Sequence, residues 1–198
     1  MSDGVRMRLV LVAFAVAIGL GYLLGGRLSW LSGIKVRWFP LALVGLCLQM
    51  APVPGNRWPV YLLYVSFVLL LVFALMNLRV TGFAIITVGI ILNFTVIAAN
   101  GGMPVSRQSL VDSGQTSTLP ALVNSGGAKH HLVGPDDRLT FLADVIAIPA
   151  PVSQSVSLGD LFTYGGVVLL MVAAMRKRPD DLPVLAPEVA ASGADERA

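Results

Sequence analysis

Five apolar stretches, at residues 8–26, 38–53, 58–78, 81–100 and 158–176, dominate this chain, and inside their apolar cores the only charged residue is Asp160. A bilayer core of ~30 Å needs about 20 apolar residues in helical form. The stretches are continuous rather than alternating, which selects helices over a closed barrel. A charge at the centre of such a helix costs roughly 2.5–3.5 kcal/mol, so its near-absence is informative. Composition closes the alternatives. The chain is 56% hydrophobic and 13% charged, where a soluble domain carries roughly 25% charge. A water-exposed domain of this size cannot hide that much apolar surface. Disorder is excluded for the same reason, and a single cysteine excludes a disulfide scaffold.

The expected fold is therefore all-α and integral to a membrane, with five transmembrane helices in one domain at residues 1–178. A long fourth loop occupies 101–157, and the Pro-, Ala- and acid-rich end at 179–198 reads as a disordered tail. A cleaved signal is the alternative for the first stretch, since Arg6 and Arg8 precede it. Its apolar run, however, continues through Tyr22 and Leu24 with no polar cleavage region. Cys47 lies inside the second stretch and reads as a small hydrophobe. No internal repeat is visible, so an inverted-repeat transporter design has no support.

Within the loop, residues 139–148 are apolar but too short to span, with Asp144 in the middle and Pro149 and Pro151 behind. Asp137, Thr140 and Asp144 fall on one side at helical spacing, and Leu139, Leu142, Val145 and Ile146 on the other. This pattern predicts a short amphipathic helix, interfacial or re-entrant. The stretch from about Ser106 to Lys129 has no apolar period and reads as plain loop.

Charge sets the orientation. Arg27, Lys35, Arg37, Arg79, Arg176, Lys177 and Arg178 collect on one side, and Arg6, Arg8, Arg57 and Arg107 near spans on the other. The positive-inside rule places the first group, and with it the C-terminus, in the cytoplasm. The N-terminus and loop 101–157 then lie outside. The net charge of +3 needs no nucleic acid; the basic collar can meet anionic lipid headgroups.

Several local patterns are candidates for function. Ala13, Ala17, Gly21 and Gly25 recur every four residues, a small-residue stripe for close helix packing within the chain or in a homodimer. Gly82, Gly89, Asn93 and Asn100 share one face of the fourth helix. Asn93 reads as interhelical glue or as a polar lining. Asn100, Gly101 and Gly102, with Pro104, have the chemistry of a helix stop, and their amides are a candidate binding nest. His130, His131, Asp136, Asp137, Asp144 and Asp160 all map to the outer side. Of these, Asp144, Asp160 and His131 are the catalytic candidates, as acids, bases or proton relays. Each also has a plainer explanation. Ser157 and Asp160 form an S-x-x-D capping pattern, and Pro135-Asp136-Asp137 can open the amphipathic helix. The adjacent histidines lack metal-ligand spacing, so no metal and no cofactor are expected.

In their order, Asn100-Gly101-Gly102-Met103-Pro104-Val105-Ser106, His131-Leu132-Val133, the segment from Leu139 to Pro149, and Ser157-Leu158-Gly159-Asp160 resemble the bacterial domain-of-unknown-function 5317 family. Those proteins are small and multi-pass. The resemblance spans about residues 8–176, with Ala143 where the family pattern leads to glycine. It implies a bacterial inner membrane and brings no activity, cofactor or catalytic residue.

Three functions follow as expectations. The first is a non-enzymatic scaffold or modulator of a membrane partner, because each polar feature has a structural explanation. The second is an outer-face protein that binds or hydrolyses a lipid or headgroup through Asn100, Asp144 and Asp160, with His131 nearby. The weakest is a small-solute transporter lined by Asn93, Thr95 and Gln49, since no span carries a central charge to couple or gate. The second expectation requires Asn100, Asp144 and Asp160 to meet in one cleft.

Overall fold

The computed structural model describes residues 3–51, 58–124 and 129–177. The tail expected at 179–198 lies outside the described residues, as do Arg57 and Arg178. The chain is mostly helical. The apolar stretches form α1 (Asp3–Leu23), α2 (Phe39–Met50), α3 (Trp58–Met76), α4 (Phe83–Asn100) and, after the long loop, α7 (Leu158–Arg176). Three of them, α3, α4 and α7, are long and apolar enough to cross a membrane by length and composition. The expected second span is shorter than its apolar run. Its helix has 12 residues, about 18 Å at a 1.5 Å rise, because Trp38 sits in the left-handed region before Pro40 and Ala51 leaves the helical region after Met50.

The pair α4 and α7 forms the centre. The two helices run antiparallel and touch through glycines set seven apart on each. A Cβ on Gly166 would lie 2.9 Å from Gly82 O, and one on Gly159 would lie 2.7 Å from Gly89 O. Side chains are absent on both sides at two levels, so the backbones approach closely, which is the main route to helix association in lipid. The small-residue stripe of α1 serves the same purpose inside the chain. Ala13 and Ala17 are buried, and a Cβ on Gly21 would strike Met175 of α7. Gly25, by contrast, faces open space. Helix α3 packs on α4 through Phe67, stacked on Phe94, and on α2 through Ser66, whose hydroxyl donates to Gly45 O at 2.7 Å.

The long loop is a folded cap, and two expectations about it are corrected. The stretch after Ser106 is not plain loop. It holds α5 (Arg107–Asp112), a 3-10 turn at Thr116–Thr118 and α6 (Leu119–Asn124). These pieces are too short to show an apolar period. Ser106 caps α5 by accepting from Ser109 N–H, and Leu110 is fully buried. Residues 139–148 are not an amphipathic helix either. After a 3-10 turn at Thr140–Leu142, Asp144 forms a parallel bridge with Val105. Strand β3 (Ile146–Ile148) then pairs antiparallel with β4 (Gln154–Val156). Val145, Ile146 and Ile148 are β-branched and favour a pleated backbone, the prolines behind them stop a helix, and distant strands supply the partners. On the other side of the bridge, β1 (Met103–Val105) pairs in parallel with β2 (His130–Leu132). The all-α expectation thus gives way to a helical body with four short strands in its cap. Leu9 near the start of α1 clusters with Val152 and Val156 of the cap, so the beginning of α1, the end of α4 and the start of α7 share one end of the molecule.

Candidate functional site

At that end, α4 stops and α7 begins for local chemical reasons. Gly101 takes the left-handed conformation (φ 67°), and its N–H donates to Ile97 O, as does that of Gly102 at 3.2 Å. Ser157 opens α7 with a complete capping box: its hydroxyl accepts from Asp160 N–H at 2.9 Å, while Asp160 Oδ2 accepts from Ser157 N–H at 3.2 Å. Asn93 of α4 closes this box into a ring. Its amide donates to Asp160 Oδ1 at 2.7 Å, and its Oδ1 accepts from the Ser157 hydroxyl at 2.7 Å. The absent side chain of Gly159 makes room for the Asn93 amide.

A cavity of about 160 Å³ lies against this ring. Asn93 and Asp160 line it from the helices, together with Tyr164, one turn beyond Asp160. From the cap come Asp144, Lys129 and His130. Gln154 and Ser155 of β4 complete its polar wall, and apolar α3 contributes Leu63 and Phe67. Asp144 is 5% exposed, and its main chain fixes it. Its N–H donates to Pro104 O at 3.1 Å, and its carbonyl accepts from Ser106 N–H and from the hydroxyls of Ser109 and Ser155. Lys129 reaches across to α2, where Nζ donates to Gln49 O at 2.7 Å and Ala51 O at 3.0 Å. A cation on terminal carbonyls complements the helix dipole.

Of the sequence candidates, the structure brings Gln49, Asn93, His130, Asp144 and Asp160 together at this cavity and leaves Asn100, Gly101, Gly102, Thr95, His131, Asp136 and Asp137 outside it, so the expected meeting of Asn100 with Asp144 and Asp160 is not formed. Asn100 pins the end of α4 to the loop: its amide donates to Val96 O and Arg138 O, and its Oδ1 accepts from Arg138 N–H. The Gly101 and Gly102 amides cap α4. His131 pairs with Asp137 at 2.9 Å. Asp137 does not open a helix; it closes a turn by accepting from Gly134 N–H at 2.8 Å. Burial raises the Asp137 pKa, but the Gly134 N–H and His131, by hydrogen bond and by charge, outweigh it and hold the carboxyl below its ordinary value. Thr95 donates to Ile91 O on its own helix. Among the described residues, no cluster of three or more His, Cys, Asp or Glu side chains could hold a metal ion.

Sequence reading missed Lys129, Gln154, Ser155 and Tyr164. Tyr164 had a signal, four residues after Asp160 on the same helical face. Lys129, Gln154 and Ser155 had none, because strand pairing places them.

The arrangement defines a class: a helical body of apolar helices whose folded cap encloses a small polar cavity. The match to the "Family of unknown function (DUF5317)" covers residues 6–172, and the chain belongs to that family. It is also similar to an "Uncharacterized protein" of Thermotoga maritima, 28% identical over 166 residues, covering 82% of this chain and 90% of that one. No solved structure matches.

Proposed function

We propose that this is a bacterial inner-membrane protein that binds a small hydroxyl- or amine-bearing headgroup in the cap cavity. Three helices long and apolar enough to span support the membrane reading. So does their exposed apolar surface, which includes Val65, Val68, Val72, Val88, Ile91, Leu161 and Leu169, because soluble monomers rarely expose contiguous patches beyond a few hundred Å². Trp38 and Trp58, both exposed, stand at the N-terminal ends of α2 and α3, where interfacial aromatics are expected. In this reading α1 crosses as well, the 12-residue α2 rises from the basic end and stops beneath the cap, where Lys129 meets its last carbonyls, the N-terminus and cap lie outside, and the basic end faces the cytoplasm.

The observation that carries the binding reading is the convergence of Asn93, Asp144 and Asp160, from three distant parts of the chain, on one cavity. Between a scaffold and a headgroup-binding protein, that convergence favours the second. The lining presents carboxylates as acceptors and the Gln154 amide as both donor and acceptor. An occupant therefore carries both kinds of group. A cavity of ~150 Å³ holds about one benzene, so a volume of about 160 Å³ suits something of glycerol or ethanolamine size.

The test is thermal unfolding of the purified protein in mild detergent with glycerol, ethanolamine, serine and short polyols. Ligand bound to the folded state raises the transition by mass action. We expect a saturable rise with at least one compound for the native chain and its loss in Asp144→Asn. Identical behaviour of the native chain and Asp144→Asn toward every compound would refute the binding site.

A further inference from the structure

A second and larger cavity, of about 530 Å³, lies at the opposite end of α4 and α7. Its volume is within the ~300–1,000 Å³ range of ligand sites. Three cations line it: Lys35 from the segment before α2, Arg79 from the turn after α3, and Lys177 after α7. All three side chains are exposed. Among the described residues, no acidic residue lines the cavity and none of the three forms an ion pair. Hydroxyls of Ser29, Ser32 and Thr81 lie among them. One wall is apolar, made by Val80, Leu170, Ala173 and Ala174.

The walls are fixed independently of the cations. Arg27 N–H donates to Met175 O at 2.7 Å, tying the 3-10 turn at Leu28–Gly33 to the end of α7. The Arg27 guanidinium lies over the Trp30 ring at 5.7 Å. Asn77, 2% exposed, clasps Arg37 on both sides: it accepts from Arg37 N–H at 2.8 Å and donates to Arg37 O at 2.9 Å. That clasp holds the segment carrying Lys35 beside the turn carrying Arg79.

We propose that this cavity binds the phosphate-bearing headgroup of an anionic phospholipid, with the phosphate among Lys35, Arg79 and Lys177 and the glycerol and upper acyl carbons along Leu170 and Ala173. Three like charges around one cavity repel one another until an anion enters. Free phosphate would satisfy the charges but leave the apolar wall unused; a phospholipid uses both. Basic cavities between helices on the cytoplasmic side are the expected places for such headgroups. The inference rests on the membrane reading above.

Native mass spectrometry of the full chain, delipidated in mild detergent and titrated with phosphatidylglycerol or phosphatidylcholine, tests it. Phosphatidylglycerol is expected to bind at least tenfold more tightly than phosphatidylcholine. The triple variant Lys35→Gln, Arg79→Gln, Lys177→Gln loses that preference, while Arg176→Gln, in the same basic collar but outside the cavity, keeps it. Equal binding of the two lipids to the native chain overturns the proposal. So does an equal loss in the triple variant and Arg176→Gln, which would mean a diffuse field. Displacement of bound phosphatidylglycerol by millimolar inorganic phosphate would make this a free-phosphate site and also overturn it. Retention of the chain in membranes through an alkaline carbonate wash reads the membrane placement separately, so the two failures are distinguishable.

Discussion

Alanine at two adjacent glycines of α7 separates helix packing from helix propensity. A Cβ on Gly166 would lie 2.6 Å from Ile86 Cγ1, 2.8 Å from Ile86 N and 2.9 Å from Gly82 O, whereas a Cβ on Gly165 meets nothing within 4 Å. Ordinary contact begins near 3.4 Å, so Gly166→Ala forces α4 and α7 apart by about half an ångström along backbone that cannot rotate away. Overpacking of this kind costs typically 1–3 kcal/mol. Both substitutions gain the same helix propensity, ~0.8–1 kcal/mol. The propensity cancels in the comparison, and the difference between the variants is the packing cost itself, ~1–3 kcal/mol. Gly165→Ala is expected to match or exceed the native chain in stability, and Gly166→Ala to fall below Gly165→Ala by that margin. Unfolding followed by circular dichroism in a graded mixture of mild and denaturing detergent measures both. Equal stability of the two variants would refute the close glycine contact, and with it the placement of α4 against α7 that builds the cap cavity.

Two further outcomes are expected. Ser157→Ala removes the cap of α7 and one partner of the buried Asn93; a lost cap alone costs ~1 kcal/mol and an unsatisfied buried partner ~1–3 kcal/mol, so the same assay should show a clearly larger loss than for Ser106→Ala, whose cap contact is long at 3.4 Å. Asp137 has a folded pKa below its ordinary 3.8, so its stabilising contribution is present above that value and is lost as pH falls through the lower folded one; the protection of the Gly134 amide from hydrogen exchange, taken relative to its intrinsic rate at each pH, should fall below about pH 4 in the native chain, and Asp137→Asn should show reduced protection at neutral pH already.

The apolar helices were legible because their cause is local. Continuous apolar runs, the Asn100-Gly101 stop and the Ser157–Asp160 cap each act within a few residues; each run is seen as a helix, three of them long and apolar enough to span, and the stop and the cap are seen where the sequence placed them. The Gly82–Gly89 spacing was visible on α4, but its meaning needed the matching Gly159 and Gly166 on α7. The cap was not legible because its cause is distant. Residues 139–148 fit a helical period as well as an extended one, and β1 and β4, not the segment itself, decided between them.

Asp144 shows what this implies for the site. A helix would have placed its carboxyl by periodicity, facing Asp137 and Thr140. The bridge to Val105 instead fixes it through main-chain groups: one donated bond to Pro104 and three accepted ones, from Ser106, Ser109 and Ser155. Those bonds are independent of what the side chain is. Asparagine at position 144 keeps those main-chain bonds and the side-chain shape while removing the charge, so a lost ligand response on Asp144→Asn reports on the cavity when the ligand-free unfolding transition is unchanged. Asp160 differs. Its carboxylate completes a capping ring with Asn93 and Ser157, so its substitution moves stability and binding together. The carboxyl that sequence pattern explained best is thus bound into the cap of α7, and the one it misplaced is set at the cavity wall by the main chain of the cap.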